Sequence, residues 1–148
     1  MYTPHTVTVY NYLGKDPETG KPLNEITILR GVFLDISQGE NIMRSGLSNA
    51  DLATLYIPMS IKAVDGLTGE EKQYVPPKEY EILEDKTGFW TIGERKNSGC
   101  YFVKGEVVEP DSDYREINTR YDYAYVVTSV DVRDFGSKSM WHWQVGGK

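Results

Sequence analysis

Few residues of this sequence have the chemistry that catalysis requires, since it contains one cysteine and two histidines. A reactive thiolate needs a helix N-terminus or basic neighbours, whereas Cys100 opens a predicted strand and is interpreted as a small apolar interior residue. His142 stands between Trp141 and Trp143, where strand alternation turns it to the opposite face, and His5 lies near an end of the sequence that we expect to be frayed, so both are poorly placed for a general base. The sequence therefore predicts no catalytic residues and a protein that is not an enzyme.

Metal and cofactor sites are not predicted either. One cysteine and two histidines are too few for a cysteine-based zinc site. The segment Asp16–Gly20 superficially resembles a calcium loop, but it lacks the alternating ligands and the closing glutamate, and Pro17 interrupts it. We interpret it as a solvated turn. Because glycine-rich phosphate-binding motifs are also missing from the sequence, we expect neither a metal ion nor a cofactor.

Length and charge narrow the class of protein. The 148 residues have the length of one domain, which we expect to span 1–148. Sixteen Lys and Arg residues against 22 Asp and Glu give a net charge of −6, which repels nucleic-acid phosphates and anionic membranes. Apolar runs are shorter than the ~18 residues of a membrane helix, and the first residues lack a signal-peptide pattern. We expect an intracellular protein that binds neither specific nucleic acid nor membrane.

The first third of the chain predicts a β-hairpin. Thr3–Tyr12 alternates apolar and polar residues, which is typical of a half-buried strand. Leu13–Asn24 is rich in glycine, proline and aspartate and predicts a turn, and Glu25–Ile36 predicts a second strand. Gly31, in the middle of that strand, indicates a bulge or bend.

The remainder also favours short strands. Tyr74–Tyr80 contains Pro76-Pro77 and predicts extended chain, not a helix or a central strand. Further strands are predicted at Asp51–Ile61, Glu81–Leu83, Phe89–Gly93, Cys100–Val108, Tyr123–Asp131 and Ser139–Val145.

One short helix is predicted at about 113–121. Asp113 and Glu116 have the spacing of a capping box. Tyr114, Ile117 and Tyr121 then form one apolar stripe. Together the patterns predict a mainly β fold: a small single-domain β-barrel or β-sandwich of about seven to nine short antiparallel strands, with this helix and one long loop at about 37–50.

The long loop, Ser37–Ala50, is the segment whose conformation and role the local sequence pattern explains least. It is longer than the usual connection of about 4–6 residues, and such loops are functional or disordered more often than short ones. Its apolar and arginine residues suit a protein–protein contact, so Ile42, Met43, Arg44 and Leu47 are the candidate partner-interface residues. Equally, these residues could fold back and cap the core.

Aromatic residues are the one compositional oddity, with 11 Tyr, 3 Trp and 4 Phe. Aromatic side chains pack well between strands, and we assign most of them to the core. An alternative is a ligand-binding β-domain, for carbohydrate or protein, in which Trp90, Trp141 and Trp143 form an exposed, coplanar platform.

Several short motifs resemble small proteins of Gram-positive phages and prophages that are encoded between the capsid and tail genes. The motifs in the second half are Phe102–Glu106, Tyr121-Asp122 before Val126–Asp131, Asp134–Ser137, His142-Trp143 and Val145–Lys148. Those in the first half are Thr6–Asn11, Gly31–Phe33 and Tyr56–Pro58.

The resemblance implies a structural component of the virion: a head–tail joining, head-completion or minor tail protein, with no catalytic residues to carry over. Its implied partners are portal or adaptor proteins, tail or tail-terminator proteins, and copies of itself in a ring. Such a protein resides in the cytoplasm of the bacterial host during assembly and then in the virion. Assembly on a template requires that it stay monomeric in isolation.

Overall fold

The computed structural model describes residues 2–36, 52–94 and 99–148. Within them lie nine β-strands, two α-helices and one 3₁₀ turn. The strands are β1 (His5–Lys15), β2 (Pro22–Asp35), β3 (Ala53–Pro58), β4 (Ala63–Asp65), β5 (Glu71–Tyr74), β6 (Phe89–Trp90), β7 (Cys100–Lys104), β8 (Ala124–Arg133) and β9 (His142–Gly147). The helices are α1 (Pro77–Ile82) and α2 (Tyr114–Arg120), and the 3₁₀ turn is Lys138–Met140.

All nine strands belong to one sheet in the order β1-β7-β8-β9-β3-β2-β4-β5-β6. Because β1 also pairs with β2, six strands form a ring of pairings, and β4, β5 and β6 extend from β2. The described pairings are antiparallel, apart from the parallel pair β5–β6. The predicted small, mainly β fold is confirmed; the sheet is ring-like and is not a closed barrel.

The predicted hairpin is present as β1 and β2, and Gly31 explains the bend in β2. Gly31 has a φ of +96°, a value that side chains disfavour, and the β1–β2 register shifts at this point. Residues before the shift pair with β1 and β4, whereas Phe33–Asp35 pair with β3. The bend therefore lets one strand serve both halves of the sheet.

Strand β1 separates two apolar clusters. Val7 and Val9 belong to the larger cluster, and Tyr10 belongs to the smaller one. Tyr10 stacks on Tyr101 with ring centroids 4.9 Å apart, and its hydroxyl donates a 2.6 Å hydrogen bond to the carbonyl of Val107. Strand β1 is thus buried on both faces at its centre, although its alternation predicted burial of one face only.

Helix α2 confirms the predicted helix. The Asp113 carboxylate accepts a 3.0 Å hydrogen bond from the N–H of Glu116, and the Glu116 carboxylate accepts one from the N–H of Asp113 at 3.4 Å. Ile117 is fully buried, while Tyr114 and Tyr121 pack against the edge of the smaller cluster. No helix in the described ranges is long and apolar enough to cross a membrane.

Helix α1 was not predicted, and its place in the sequence was assigned wrongly. Residues 77–80 of the predicted extended segment Tyr74–Tyr80 are helical, and so are the first two residues of the predicted strand Glu81–Leu83. Pro77 occupies the start of the helix, where its missing N–H costs no hydrogen bond, and Pro76 precedes it with extended backbone. Two prolines can therefore begin a helix as well as exclude one.

Two further differences concern short elements. The hairpin β4–β5, which follows the predicted strand Asp51–Ile61, was not predicted. The predicted loop Ser37–Ala50, with its candidate interface residues Ile42, Met43, Arg44 and Leu47, lies outside the described residues. That interface stays a prediction.

The capping box of α2 gives a stability prediction. Asp113→Ala leaves the N–H of Glu116 without its acceptor, so the free energy of unfolding should fall by about 1 kcal/mol, measured by chemical denaturation. Asp111→Ala is the control, because Asp111 makes only an exposed 3.8 Å ion pair with Lys21, which stabilises little. Equal losses in the two variants would contradict a capping role.

Candidate functional site

The most buried charge in the described residues is the ammonium group of Lys72 on β5. Its Nζ lies 3.1 Å from Oδ1 of Asp65 and 3.6 Å from Oε2 of Glu25. It also donates hydrogen bonds to the carbonyl of Ile26 at 3.1 Å and to Oγ1 of Thr27 at 3.2 Å. One side chain thereby ties β5 to β4 and β2.

The pKa of the Asp65 carboxyl group is affected by these contacts. Burial alone would raise the pKa of Asp65, but hydrogen bonds from the N–H of Thr68, the Lys72 ammonium and the N–H of Leu67 outweigh it and hold that pKa below its usual value. The carboxylate is therefore a fixed acceptor and not a proton donor. Because its oxygens are occupied by the turn and by Lys72, this cluster is structural.

The cysteine and the two histidines that were considered for catalysis are buried or lie against backbone groups. Cys100 is fully buried, and burial raises the pKa of its thiol to about 12. Nδ1 of His5 accepts a 3.0 Å hydrogen bond from the N–H of Leu34, and Nδ1 of His142 lies 2.8 Å from the carbonyl oxygen of Met140. In the described part of the chain, no group of three or more histidine, cysteine or acidic residues is arranged to hold a metal ion.

The tryptophans do not form an exposed, coplanar platform. Trp90 and Trp143 are buried in the larger cluster, and their rings meet edge-on with an interplanar angle of 78°. Together with Tyr74 they form the floor of a shallow groove of about 650 Å³, whose rim includes Met59 and Ile61. Trp141 lies outside that groove and is half-buried. The aromatic side chains of the chain therefore serve chiefly as core.

A different feature stands out on the surface: the far end of the hairpin formed by β8 and β9. We call residues 129–143 the β8–β9 arm. Three large apolar side chains are exposed on it: Val132 by 54%, Phe135 by 68% and Met140 by 50%. Exposed apolar patches are typical of contact surfaces, and these three side chains lie on the same hairpin.

The exposure of Val132 has a clear geometric cause. Val130 packs against the larger cluster, and Val132, two residues further along the strand, points to the same face. Val132 lies opposite Trp143 of β9, at the rim of the cluster. The apolar face of the arm therefore extends further along β8 than the core against which Val130 packs.

The outer edge of the arm is also open in the described part of the chain. Strand β7 pairs with β8 only at Ala124–Val126, and from Ser129 to Arg133 the described pairings of β8 are with β9 alone. Alternate residues of such an edge turn their backbone N–H and C=O groups away from the one neighbour. The arm therefore offers both apolar side chains and hydrogen-bonding backbone.

Sequence reasoning missed the arm. Its signal was the alternation of Val130 and Val132 with Asp131 and Arg133, which predicts a strand with one buried face. Whether the last apolar residue of that face reaches the core depends on the register of β8 against β9. The exposure of Val132 in the folded structure shows that it lies outside the core.

The chain belongs to a family of unknown function, DUF6751, whose model matches residues 2–148. Neither a curated protein nor a solved structure matches it. Membership of the family assigns no activity, so a proposal about function depends on the residues of the chain itself.

The buried ammonium group gives a prediction for pH dependence. Lys72→Met should lower the free energy of unfolding by about 3 kcal/mol at pH 7, because Asp65 and Glu25 lose their counter-charge. The lowered pKa of Asp65 stabilises the fold above the ordinary aspartate pKa, and this contribution is lost as the pH falls through the folded-state value. In Lys72→Met that pKa rises, so urea denaturation should show a smaller loss on acidification.

Lys62→Met is the matched control, since Lys62 is exposed and its replacement should leave both the stability at pH 7 and its acid dependence near those of the wild type. An unchanged acid dependence in Lys72→Met would contradict the role assigned to the ammonium group.

The burial of the tryptophans predicts a fluorescence result. Iodide quenches only accessible indoles, so the Trp141→Phe variant, which retains Trp90 and Trp143, should lose most of the iodide quenching of the wild type. Acrylamide, which penetrates proteins, should still quench the variant. Strong iodide quenching in Trp141→Phe would mean that the two core tryptophans are accessible.

Proposed function

We propose that this protein is a non-enzymatic structural component of a bacteriophage or prophage particle, namely a head–tail connector, head-completion or tail-completion protein. It acts through protein–protein contacts with portal, adaptor, tail or tail-terminator proteins and with copies of itself in a ring. It resides in the cytoplasm of the bacterial host during assembly and afterwards in the virion. The resemblance of its sequence motifs to phage proteins of this class supports the assignment.

The single structural observation that supports a contact function is the exposed apolar end of the β8–β9 arm. Phe135 and Met140 are large, apolar and solvent-exposed, and they lie with the exposed Val132 on one hairpin. A partner that covers them gains the free energy of removing apolar surface from water, about 25 cal/mol per Å². Aromatic and methionine side chains are enriched in the cores of such contacts.

The charge of the protein fits assembly on a template. A net charge of −6 disfavours association of free copies and keeps them soluble. Contacts that are individually weak become strong when a ring closes on a portal or tail, because each added copy binds two neighbours at high effective concentration.

The test is quantitative mass spectrometry of particles purified after induction of a host whose prophage carries the gene. We expect the protein in the particles at a constant, ring-compatible ratio to the portal protein. With Phe135→Asp, incorporation and infectious titre should each fall by about tenfold or more, since a buried charge replaces an apolar anchor.

Leu67→Asp is the matched control. Leu67 is 64% exposed, close to the 68% of Phe135, and it lies in the β4–β5 turn. This variant should assemble like the wild type. Absence of the wild-type protein from the particles would overturn the proposed function, and equal incorporation of the two variants would remove the arm from it.

A further inference from the structure

The outer edge of β8 on the arm suits one particular partner: a second copy of the same edge. Asp131, Val132 and Arg133 are, in succession, an acid, an apolar residue and a base. Asp131 and Arg133 lie on one face, where their closest carboxylate and guanidinium atoms are 3.8 Å apart and both side chains are largely exposed. Val132 lies on the other face. When two copies of this segment lie antiparallel, the acid of each copy faces the base of the other.

Symmetry limits how two such edges can pair. In an antiparallel pair related by a two-fold axis normal to the sheet, opposite residues must point to the same face of the joint sheet, so the axis lies midway between the two copies of one residue. If the pair were centred on Asp131, two aspartates would lie opposite one another, and a pair centred on Arg133 would oppose two arginines. A pair centred on Val132 instead places Asp131 of each copy opposite Arg133 of the other.

We propose that two copies of this chain pair edge to edge through Asp131–Arg133 of β8, antiparallel and centred on Val132. The pair forms two intermolecular ion pairs on the outer face of the arm and brings the two Val132 side chains together on its inner face. Cross-strand neighbours in antiparallel sheets have Cβ atoms about 4.5–5.5 Å apart, within reach for both kinds of contact. The backbone groups of this edge, which has no second pairing in the described part of the chain, gain hydrogen-bond partners at the same time.

The association is expected to be weak. The pairing region is three residues long, and two exposed ion pairs add little affinity. Interfaces well below about 1,200 Å² bind transiently. A weak pair of this kind covers the edge and part of the exposed apolar surface at high protein concentration and releases them on dilution or when a stronger partner competes.

This inference goes beyond the proposed function and does not depend on it, and a pair this weak leaves free copies monomeric at low concentration, as assembly on a template requires. A two-fold pair closes on itself after two copies, whereas a ring requires head-to-tail contacts through a second surface. The pair is tested on the isolated protein, while the proposed function is tested on particles. The failure of one therefore leaves the other standing.

The test is sedimentation equilibrium of the purified full chain at concentrations up to about 1 mM, which covers affinities expected of small interfaces. The wild type should show a reversible monomer–dimer equilibrium. In a pair of Asp131→Arg chains, arginine faces arginine at both charged positions. In a pair of Arg133→Asp chains, aspartate faces aspartate at both positions. Each variant alone should dimerise at least about tenfold more weakly.

Mixing the two variants gives the decisive measurement. In an equimolar mixture, Asp131→Arg carries two bases and Arg133→Asp carries two acids, so the mixed pair regains opposite charges at both positions. Association should return to within about threefold of the wild type. Recovery on mixing also shows that neither variant failed through misfolding.

Lys21→Asp is the control for net charge, since it makes the same change as Arg133→Asp at an exposed ion pair with the same 3.8 Å separation. It should dimerise like the wild type. A wild type that stays monomeric throughout the concentration range overturns the proposal, and so does a mixture that associates no better than either variant alone.

Discussion

The sheet depends on one strand that pairs with three others. Strand β2 bonds to β1 and β4 along its first part and to β3 beyond the bend at Gly31. A residue with a Cβ is disfavoured at a φ of +96°, and without the bend the last residues of β2 could not leave β1 to reach β3. The ring of pairings closes through this change of partner, and the three-strand extension begins before it, where β4 pairs with Thr27–Leu29. The buried ammonium group of Lys72 then fastens the extension to β2.

Strand β8 changes partners in the same way, and the arm is the result. Its first residues pair with β7 on one side, and from Val127 onward it pairs with β9, with a register shift between Val127 and Ser129. Beyond the shift Val130 still packs against the larger cluster, whereas Val132, the next residue on that face, is exposed. The exposed surface of the arm therefore begins where β8 pairs with β9 alone in the described ranges.

Local patterns predicted the elements whose cause is local. The capping box of Asp113 and Glu116 located α2, and Gly31 located the bend in β2. The pattern failed where two causes compete, as at Pro76-Pro77, because proline is compatible with both extended chain and the first turn of a helix. It also failed for β4 and β5, which are three and four residues long and are held by β2 and Lys72, not by their own alternation. The arm needed the strand register, which depends on residues far away in the sequence.

The central position of β1 has a consequence for synthesis of the chain. Strand β1 can pair with β2 as soon as the first 35 residues have emerged, but its other edge pairs with β7, where Val9 meets Phe102. At about 5–20 residues per second, the ribosome needs several seconds to make the intervening segment. During that interval the hairpin has one unpaired edge and two uncovered faces, the condition in which nascent β-proteins are most prone to aggregate. The stage of greatest risk for this protein is therefore the half-made chain, before Phe102 has left the ribosome.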